Sequence, residues 1–290
     1  MSSTEKKERL RAEIQKLGSV VVAFSGGVDS TLLLAMCIEV LGAERVLAVT
    51  LESALHPMAE RGRARELAAL LGARHRVVPF DALGDPDVAV NNAQRCYFCK
   101  RSVMQVMHEY AAGEHADAPG FAAGLRPVVV HGANVDDLGD YRPGTRAAAE
   151  AGARAPLQDA GLTKADIRAL SQEMGLSTWD APSMACLASR FPYGTPLSAE
   201  GLQRVDAAES FVRELCGIAQ LRVRDHLPVA RIEVPEDEMP KLFDAAVRAQ
   251  VVARFRELGY TYVALDLAGF RSGSMNAVLG NAQRTNERVG

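Results

Sequence analysis

Two groups of residues in this sequence have the side chains and the spacing that chemistry requires. The first is the hexapeptide SGGVDS at residues 25–30, which lies between an apolar run and a helical pattern. The second is a set of three cysteines, with Cys96 and Cys99 in a CxxC and Cys186 much later in the chain. Glycine turns before helices bind phosphates, and thiolates bind soft metals. These groups indicate phosphate binding together with sulfur or metal chemistry.

The hexapeptide stands where a strand would pass into a helix, so its backbone NH groups and the helix dipole favour a bound anion. All six of its residues are predicted to bind a nucleotide: Ser25, Gly26, Gly27, Val28, Asp29 and Ser30. Asp29 can also hold a Mg²⁺ ion that screens the phosphates. Because the motif has no lysine, it does not indicate Walker-type transfer of a γ-phosphate. The alternative is that Ser25 or Asp29 only caps the helix.

The cysteines divide into two kinds. Cys37 and Cys216 fall inside apolar helical patterns and are predicted to be small buried hydrophobes. The CxxC and the distant Cys186 suit an iron-sulfur cluster held by three protein ligands, which would leave one iron open. From spacing alone, a redox pair, half a zinc site or thiols on an apolar helix face remain alternatives.

The elements that must position these residues alternate between strand and helix. Apolar runs at 19–24, 46–53 and 127–134, with a further strand beginning near His75, are separated by helical patterns. Parallel pairing with helical crossovers follows, which predicts a doubly wound α/β sheet. Ligands of such sheets bind outside the carboxyl ends of the strands.

Polar residues on or after these strands are therefore candidates for nucleotide binding. Thr50 lies on the second strand, and Asn134, Asp136 and Asp137 follow the last one. The polar stretch continues to residues 140–142. Asn and Asp after a strand also make ordinary turns, which is the alternative for this group.

A change of pattern near Ser198 predicts a second domain. The order helix, strand, strand, helix, strand indicates a smaller α+β domain, and we place the boundary so that residues 1–180 form the nucleotide domain and 181–290 the second domain. The Pro-rich loop before Ser198 carries Cys186. The Gly- and Ala-rich stretch 113–126 receives no role.

Basic residues of the second domain are candidates for binding substrate anions. Ser189 and Arg190 follow Cys186 closely, and Arg190 could neutralise a carboxylate or phosphate. Arg222 and Arg224 alternate on one predicted strand, so both lie on one face and could bind a substrate phosphate. Two exposed strand arginines are the alternative.

Composition limits the classes of partner. The 290 residues have a net charge of −3, with 48% hydrophobic and 24% charged residues. No strong positive field would attract nucleic acid, and a small-molecule substrate is expected. Because the N-terminal segment is charged and no apolar run is long enough for a membrane span, we predict a cytoplasmic protein without membrane contact.

The hexapeptide matches the SGGxDS signature of the PP-loop ATP pyrophosphatases, which this chain resembles. Four stretches together resemble the LarE sulfur transferases: SGGVDS at 25, RCYFCK at 95, GANVDDLGDYRPG at 132 and PSMACLASRFPYG at 182. With GLTKADIR at 161, the resemblance covers most of the chain. It implies attack on the α-phosphate of ATP by a carboxylate of pyridinium-3,5-biscarboxylic acid mononucleotide. The acyl adenylate then becomes a thiocarboxylate during synthesis of the nickel-pincer cofactor of lactate racemase.

The resemblance implies two possible sulfur sources. In one form of the family, a single cysteine that matches Cys186 gives up its own sulfur and becomes dehydroalanine. In the other, three cysteines that match Cys96, Cys99 and Cys186 hold a 4Fe-4S cluster carrying an extra sulfide. All three cysteines are present here, which favours the cluster form. The family also implies a homo-oligomer.

Rival functions remain open at this stage. Another PP-loop enzyme, such as an NAD or GMP synthetase-like amidotransferase or a tRNA thiolase, would share the nucleotide motif. A nonenzymatic adenine-nucleotide sensor on the same fold is the rival from a different class. The composition lacks the basic excess that tRNA binding would require.

Overall fold

The computed structural model describes residues 3–114, 121, 126–139, 143–182 and 185–271. Residues 140–142 and most of the 113–126 stretch lie outside the described residues. The chain divides into two compact units: unit 1 comprises 1–53, 59–81 and 96–184, and unit 2 comprises 54–58, 82–95 and 185–290. The assignment of a nucleotide domain to 1–180 and a second domain to 181–290 stays a prediction.

Unit 1 is built on a four-stranded parallel sheet. Its strands are β1 (Val20–Ala23), β2 (Val46–Glu52), β3 (Arg74–Pro79) and β4 (Val128–Val130), in the spatial order β3-β2-β1-β4. The order along the chain reverses at β1, because β2 lies on one side of it and β4 on the other. Crevices at such reversals are where ligands of α/β sheets bind.

Helices cover both faces of this sheet. The helices of the described residues, counting both units, are α1 (Ser3–Gln15), α2 (Val28–Leu41), α3 (Arg63–Leu70), α4 (Pro86–Ala89), α5 (Arg95–Ala112), α6 (Pro143–Glu150), α7 (Pro156–Asp159), α8 (Lys164–Glu173), α9 (Ala199–Cys216) and α10 (Ala245–Glu257). Of these, α4, α9 and α10 belong to unit 2. Val20 and Val22 pack in one core with α1, α2, α7 and α8, whereas Val21 packs in a second core with Met104 of α5. The predicted doubly wound α/β architecture is confirmed.

Unit 2 contains a three-stranded sheet. Strand β5 (Arg222–His226) pairs antiparallel with β6 (Val229–Glu233), which pairs parallel with β7 (Tyr262–Leu265). Helices α9 and α10 contribute Val212 and Phe255 to one apolar core with strand residues such as Val223. The predicted smaller α+β part is confirmed.

Local capping explains where helices begin later than predicted. The sequence pattern predicts a helix over about 92–112, but the side chain of Asn92 accepts a hydrogen bond from the Gln94 NH and forms a turn before α5. The pattern also predicts a helix from Asp237, but the structure has a 3-10 segment, Glu236–Phe243, followed by α10. Asp244 starts α10 by accepting hydrogen bonds from two backbone NH groups of the first turn.

Within the residues that the structure describes, no helix has both the length and the apolar character needed to cross a bilayer.

Candidate active site

The SGGVDS turn joins β1 to α2 at the carboxyl end of the sheet, beside the reversal between β1 and β4. Gly26 has φ 73°, a left-handed conformation that favours glycine. A Cβ added there would lie 3.2 Å from the Cα of Ala64 in α3. The glycine therefore permits both the turn and its close approach to α3.

The first turn of α2 is left without a side-chain cap. Its N-cap is Gly27, with no side-chain hydrogen bond to the helix end. The Ser25 and Ser30 hydroxyls instead lie 3.1 Å apart, and the Ser30 hydroxyl donates to the Gly27 carbonyl. The alternative in which Ser25 or Asp29 only caps the helix is therefore wrong. The NH groups of this first turn have no acceptor within the helix, which is the arrangement that binds phosphate.

Asp29 lies in this first turn and is the candidate Mg²⁺ ligand. Its Oδ1 accepts a hydrogen bond from the Asn134 side-chain amide at 3.3 Å, and its Oδ2 accepts one from the Lys164 ammonium at 2.5 Å. Mg²⁺ in nucleotide sites is usually held by one or two carboxylates together with substrate phosphates. A single aspartate next to a phosphate-binding turn fits that requirement.

The loop after β4 brings Asn134 to the turn. A Cβ on Gly132 would lie 3.0 Å from the Ser30 nitrogen, so the glycine allows this loop to lie against the start of α2. Asn134 accepts a hydrogen bond from the Asp136 NH, and Asp137 accepts one from the Asn134 NH. Asn134 thus both makes a turn and contacts Asp29, while Asp136 and Asp137 hold that turn.

Thr50 of β2 holds Phe24, the residue that precedes the turn. Its hydroxyl donates to the Phe24 carbonyl at 2.7 Å and lies 2.8 Å from Nε2 of His75. Burial, followed by the charges of Arg65 and Arg76, lowers the pKa of His75 to about 4. His75 is therefore neutral at ordinary pH, and its Nε2–H donates to Thr50. Both hydrogen bonds fix the residue that directly precedes Ser25.

The CxxC occupies the first turn of α5. Cys96 is exposed and Cys99 half-buried, and three residues of separation place both on one helix face. Between them, Tyr97 donates a hydrogen bond to Glu150 of α6, and the guanidinium of Arg146 lies 4.6 Å from the Tyr97 ring centroid. The CxxC is therefore held against α6.

Two further ionisable residues of unit 1 have lowered pKa values: Lys100 after the CxxC turn and His131 after β4. Burial lowers the pKa of Lys100, which directly follows Cys99. His131 is only 7% exposed, and its burial, followed by the charge of Lys100, lowers its pKa to about 3. His131 is consequently neutral and stands next to Gly132, which touches the SGGVDS turn.

Cys186 belongs to unit 2, where it immediately precedes a 3-10 turn, Leu187–Arg190. Arg190 is 2% exposed and makes two 2.8 Å hydrogen bonds to Glu209 of α9. It also donates to the Ala185 carbonyl at 2.7 Å, the Cys186 carbonyl at 3.2 Å and the Ser189 hydroxyl at 3.1 Å. In this conformation, Arg190 holds the backbone of the Cys186 turn.

Arg95, which we had not singled out, is a second support of that turn. It is 5% exposed, and its guanidinium donates to the Ala188 carbonyl at 3.0 Å and to the Asn91 side chain. Asn91 has φ 56° and donates to the Pro192 carbonyl. Arg95 thus holds the turn that follows Cys186, and both belong to unit 2. Nothing in the sequence pattern around Arg95 indicates this role.

Arg222 and Arg224 lie two residues apart on β5 and are 6% and 4% exposed, so the alternative of two exposed strand arginines is wrong. Arg224 donates to Glu233 at 2.6 Å and to the Ser189 carbonyl at 2.7 Å. Burial, followed by the charge of Arg190, lowers the pKa of Arg222 to about 10. Both arginines are therefore buried in unit 2, and Arg224 is paired with Glu233.

Among the described residues, no three His, Cys, Asp or Glu side chains are grouped as metal ligands. Within unit 1, the structure brings the SGGVDS turn, including Asp29, together with Asn134. Within unit 2, it brings together the Cys186 turn, Arg190 and Arg224.

Comparison with known proteins finds one family model and several relatives. The NAD synthase family model matches residues 3–95, the part that contains the SGGVDS turn. The chain is 41% identical to the pyridinium-3,5-bisthiocarboxylic acid mononucleotide synthase of Lactiplantibacillus plantarum, over 96% of both chains. It is 38% identical to an uncharacterised Synechocystis protein over 94% of this chain and 98% of that one.

Some other relatives match only a part of this chain. The NH₃-dependent NAD⁺ synthetase of Methanoregula boonei is 37% identical over 83 residues, which is 29% of this chain and 34% of that enzyme. The family of this chain follows from its similarity to the L. plantarum relative over 96% of both chains. The parallel α/β sheet and the SGGVDS turn fit the same family. The chain belongs to the LarE family of ATP-dependent sulfurtransferases, within the PP-loop enzymes.

Proposed function

We propose that this enzyme adenylates a carboxylate of pyridinium-3,5-biscarboxylic acid mononucleotide and converts it to a thiocarboxylate, as a step toward a nickel-pincer cofactor. The observation that carries the proposal is the uncapped, lysine-free start of α2, with Asp29 in its first turn. The relative from L. plantarum, named as a synthase of the bisthiocarboxylic acid mononucleotide, supports the choice of substrate.

The proposed reaction has two displacements. A substrate carboxylate oxygen attacks the α-phosphorus of ATP, the bond to the β-phosphate oxygen breaks, and pyrophosphate leaves. A sulfur nucleophile then attacks the acyl carbon, and AMP leaves with the former carboxylate oxygen. The NH groups of α2 and the Ser25 and Ser30 hydroxyls are placed to stabilise phosphate charge during the first step. Asp29 would hold a Mg²⁺ ion, which would supply further positive charge there.

Unit 2 supplies groups suited to the substrate anions. The arginine cluster of unit 2, defined as Arg190, Arg222 and Arg224, has Glu209 and Glu233 as buried acidic partners. Burial, followed by the charge of Arg190, lowers the pKa of Arg222, so a phosphate beside this arginine would be stabilised by the guanidinium. We therefore assign Arg222 and Arg224 to the mononucleotide phosphate, and Arg190 with Ser189 to holding Cys186.

For the sulfur source, we propose a 4Fe-4S cluster held by Cys96, Cys99 and Cys186. The donor chemistry fits, since three thiol side chains leave one iron open, and the exposed Cys96 and half-buried Cys99 share one helix face. Such a cluster, when bound, would supply an exchangeable sulfide. The alternative is that Cys186 attacks through its own sulfur and then loses it by β-elimination, leaving dehydroalanine.

One experiment tests both levels of the proposal. The protein is purified without oxygen and incubated with ATP, Mg²⁺ and the dicarboxylate, and product mass, iron content and polypeptide mass are measured. We expect a product with one oxygen replaced by sulfur, bound iron and an unchanged polypeptide. Failure to form this product would reject the function. ATP binding without any pyrophosphate release would then favour a nucleotide sensor.

Cysteine variants separate the two sulfur sources. Replacing Cys96, Cys99 or Cys186 individually with serine should remove both iron and repeated turnover. Cys216→Ser is the matched control, because Cys216 is a half-buried thiol of unit 2 outside the trio. A colourless protein that loses the elements of H₂S after one turnover, with Cys96→Ser still active, would instead support donation by Cys186.

NAD synthetase activity is the second candidate, since the NAD synthase family model matches residues 3–95 and an NH₃-dependent NAD⁺ synthetase matches 29% of the chain. We place it second because the family model ends before Cys96, whereas the similarity to the L. plantarum relative extends over 96% of the chain.

A further inference from the structure

The SGGVDS turn lacks a lysine of its own, but a lysine from another helix reaches it. Lys164 is the first residue of α8, and its ammonium lies 2.5 Å from Oδ2 of Asp29, which is 135 residues earlier in the chain. All of these residues belong to unit 1. The candidate Mg²⁺ ligand is therefore paired with a side-chain cation.

Both carboxylate oxygens of Asp29 accept hydrogen bonds in this structure. Oδ1 accepts from the Asn134 amide and Oδ2 from Lys164. A divalent ion that binds Asp29 through Oδ2 must displace the ammonium and must also approach its positive charge. Lys164 thus opposes metal binding both by occupying the ligand and by electrostatic repulsion.

The backbone of Lys164 is firmly anchored. Thr163 and Asp166 form a capping box at the start of α8, and the Lys164 NH donates to Asp136 at 2.7 Å. Lys6 of α1 adds an ion pair to Asp166 at 2.5 Å. The four-carbon side chain nonetheless allows the ammonium to move while the helix start stays in place.

The position of this lysine is unfavourable for the helix alone. A cation in the first turn opposes the helix dipole, so its placement there needs a compensating carboxylate. The side chains of Lys164 and Asp29 are 34% and 24% exposed, and partly exposed pairs are weak enough to exchange partners.

We propose that Lys164 is a tethered cation that holds the Asp29 carboxylate in the nucleotide-free enzyme, so that a divalent metal binds there only together with the nucleotide. The nucleotide brings phosphate oxygens as further metal ligands and as a new partner for the displaced ammonium. This inference rests on the proposed function in one respect, that nucleotide binds at the SGGVDS turn. It predicts that metal binding and nucleotide binding are coupled through Lys164.

The test measures Mn²⁺ binding by electron paramagnetic resonance, as a probe of the Mg²⁺ site, without nucleotide and then with a non-hydrolysable ATP analogue. Without nucleotide, Lys164→Met should bind Mn²⁺ at least about fivefold more tightly than the unaltered protein. Lys164→Arg should resemble the unaltered protein because it restores the cation. Lys6→Met is the matched control, since it removes a lysine ion pair to α8 without touching Asp29.

A double variant identifies the ligand. Lys164→Met combined with Asp29→Asn should lose the gained Mn²⁺ binding, while circular dichroism checks that the variants remain folded. The proposal is overturned if Lys164→Met binds Mn²⁺ no more tightly than Lys6→Met does, or if the gain persists without Asp29.

The same measurement distinguishes this inference from the proposed function. If the ATP analogue strengthens Mn²⁺ binding equally in the unaltered protein and Lys164→Met, the tethered-cation idea fails while the nucleotide site stands. If the analogue does not bind at all, the proposed function fails as well. Neither result depends on the sulfur source.

Discussion

The nucleotide turn of unit 1 and the arginine cluster of unit 2 are built in opposite ways. The turn presents backbone NH groups and two hydroxyls, and its ion pair, Lys164 with Asp29, is partly exposed. The cluster consists of charged side chains paired in the interior, with Arg190 and Glu209 exposed by 2% and 1%. A site built from backbone groups can therefore be specified by a local sequence motif, whereas a site built from buried charges depends on partners far away in the sequence.

The energetic consequences also differ. A partly exposed pair contributes about 0 to 1 kcal/mol, so it can open during a reaction cycle. Removing one member of a buried pair costs about 3 to 5 kcal/mol because the other charge stays buried without compensation. We therefore expect the unit 1 pair to act as an exchangeable contact and the Arg190–Glu209 pair of unit 2 to act as a fixed support.

The largest expected effect comes from Glu209→Gln in unit 2. Arg190 would keep its buried charge without its carboxylate partner, and we expect a loss of about 3 kcal/mol in the free energy of unfolding, measured in urea. Glu214→Gln, at an exposed position on the same helix, is the control. Adding Arg190→Met to Glu209→Gln should recover part of the loss. If Glu209→Gln is as stable as Glu214→Gln, the fixed-support account of unit 2 is wrong.

A smaller effect is expected from a methyl group in the nucleotide turn. Gly26→Ala places an alanine at φ 73°, with its Cβ 3.2 Å from the Ala64 Cα, and should cost about 2 kcal/mol of stability. Gly27→Ala is the matched change, since Gly27 has φ −78° and its nearest atom would be 3.5 Å away. Thermal unfolding of both variants measures the difference. Equal costs would contradict the backbone-built description of the turn.

The smallest effect concerns acid stability of unit 1. The folded pKa of His131 is about 3, below the ordinary value of 6.5, so the unfolded chain binds the proton first. Between pH 6.5 and 5, stability should fall by about 1.5 kcal/mol because of this group. His131→Asn should have a shallower slope in urea unfolding between pH 6.5 and 5. An unchanged slope would show that His131 does not couple folding to protonation.

Much of unit 1 could be predicted because its determinants are local. Apolar runs specify β1 and β2, buried on both faces, and Thr163 with Asp166 three residues later specifies the start of α8. The SGGVDS turn lies between a strand and a helix, as its pattern predicts. These features depend on residues only a few positions apart, so no knowledge of tertiary contacts was needed.

The partners of the site residues could not be predicted in the same way. Glu209 and Glu233 were not predicted to hold Arg190 and Arg224, because pairing across the fold leaves no spacing pattern in the chain. Weak signals did exist. Lys164 opposes the dipole of its own helix, and Glu209 interrupts the apolar stripe of α9, so both positions required a compensating charge elsewhere.

The central claim, attack of a substrate carboxylate on the α-phosphorus of ATP, can be tested directly by isotope transfer. The dicarboxylate is labelled with oxygen-18 in its carboxylates and incubated with ATP, Mg²⁺ and the enzyme, and the nucleotide products are analysed by mass spectrometry. Our account predicts AMP that contains one labelled oxygen, together with unlabelled pyrophosphate. Formation of ADP and labelled phosphate, or of AMP without the label, would contradict it.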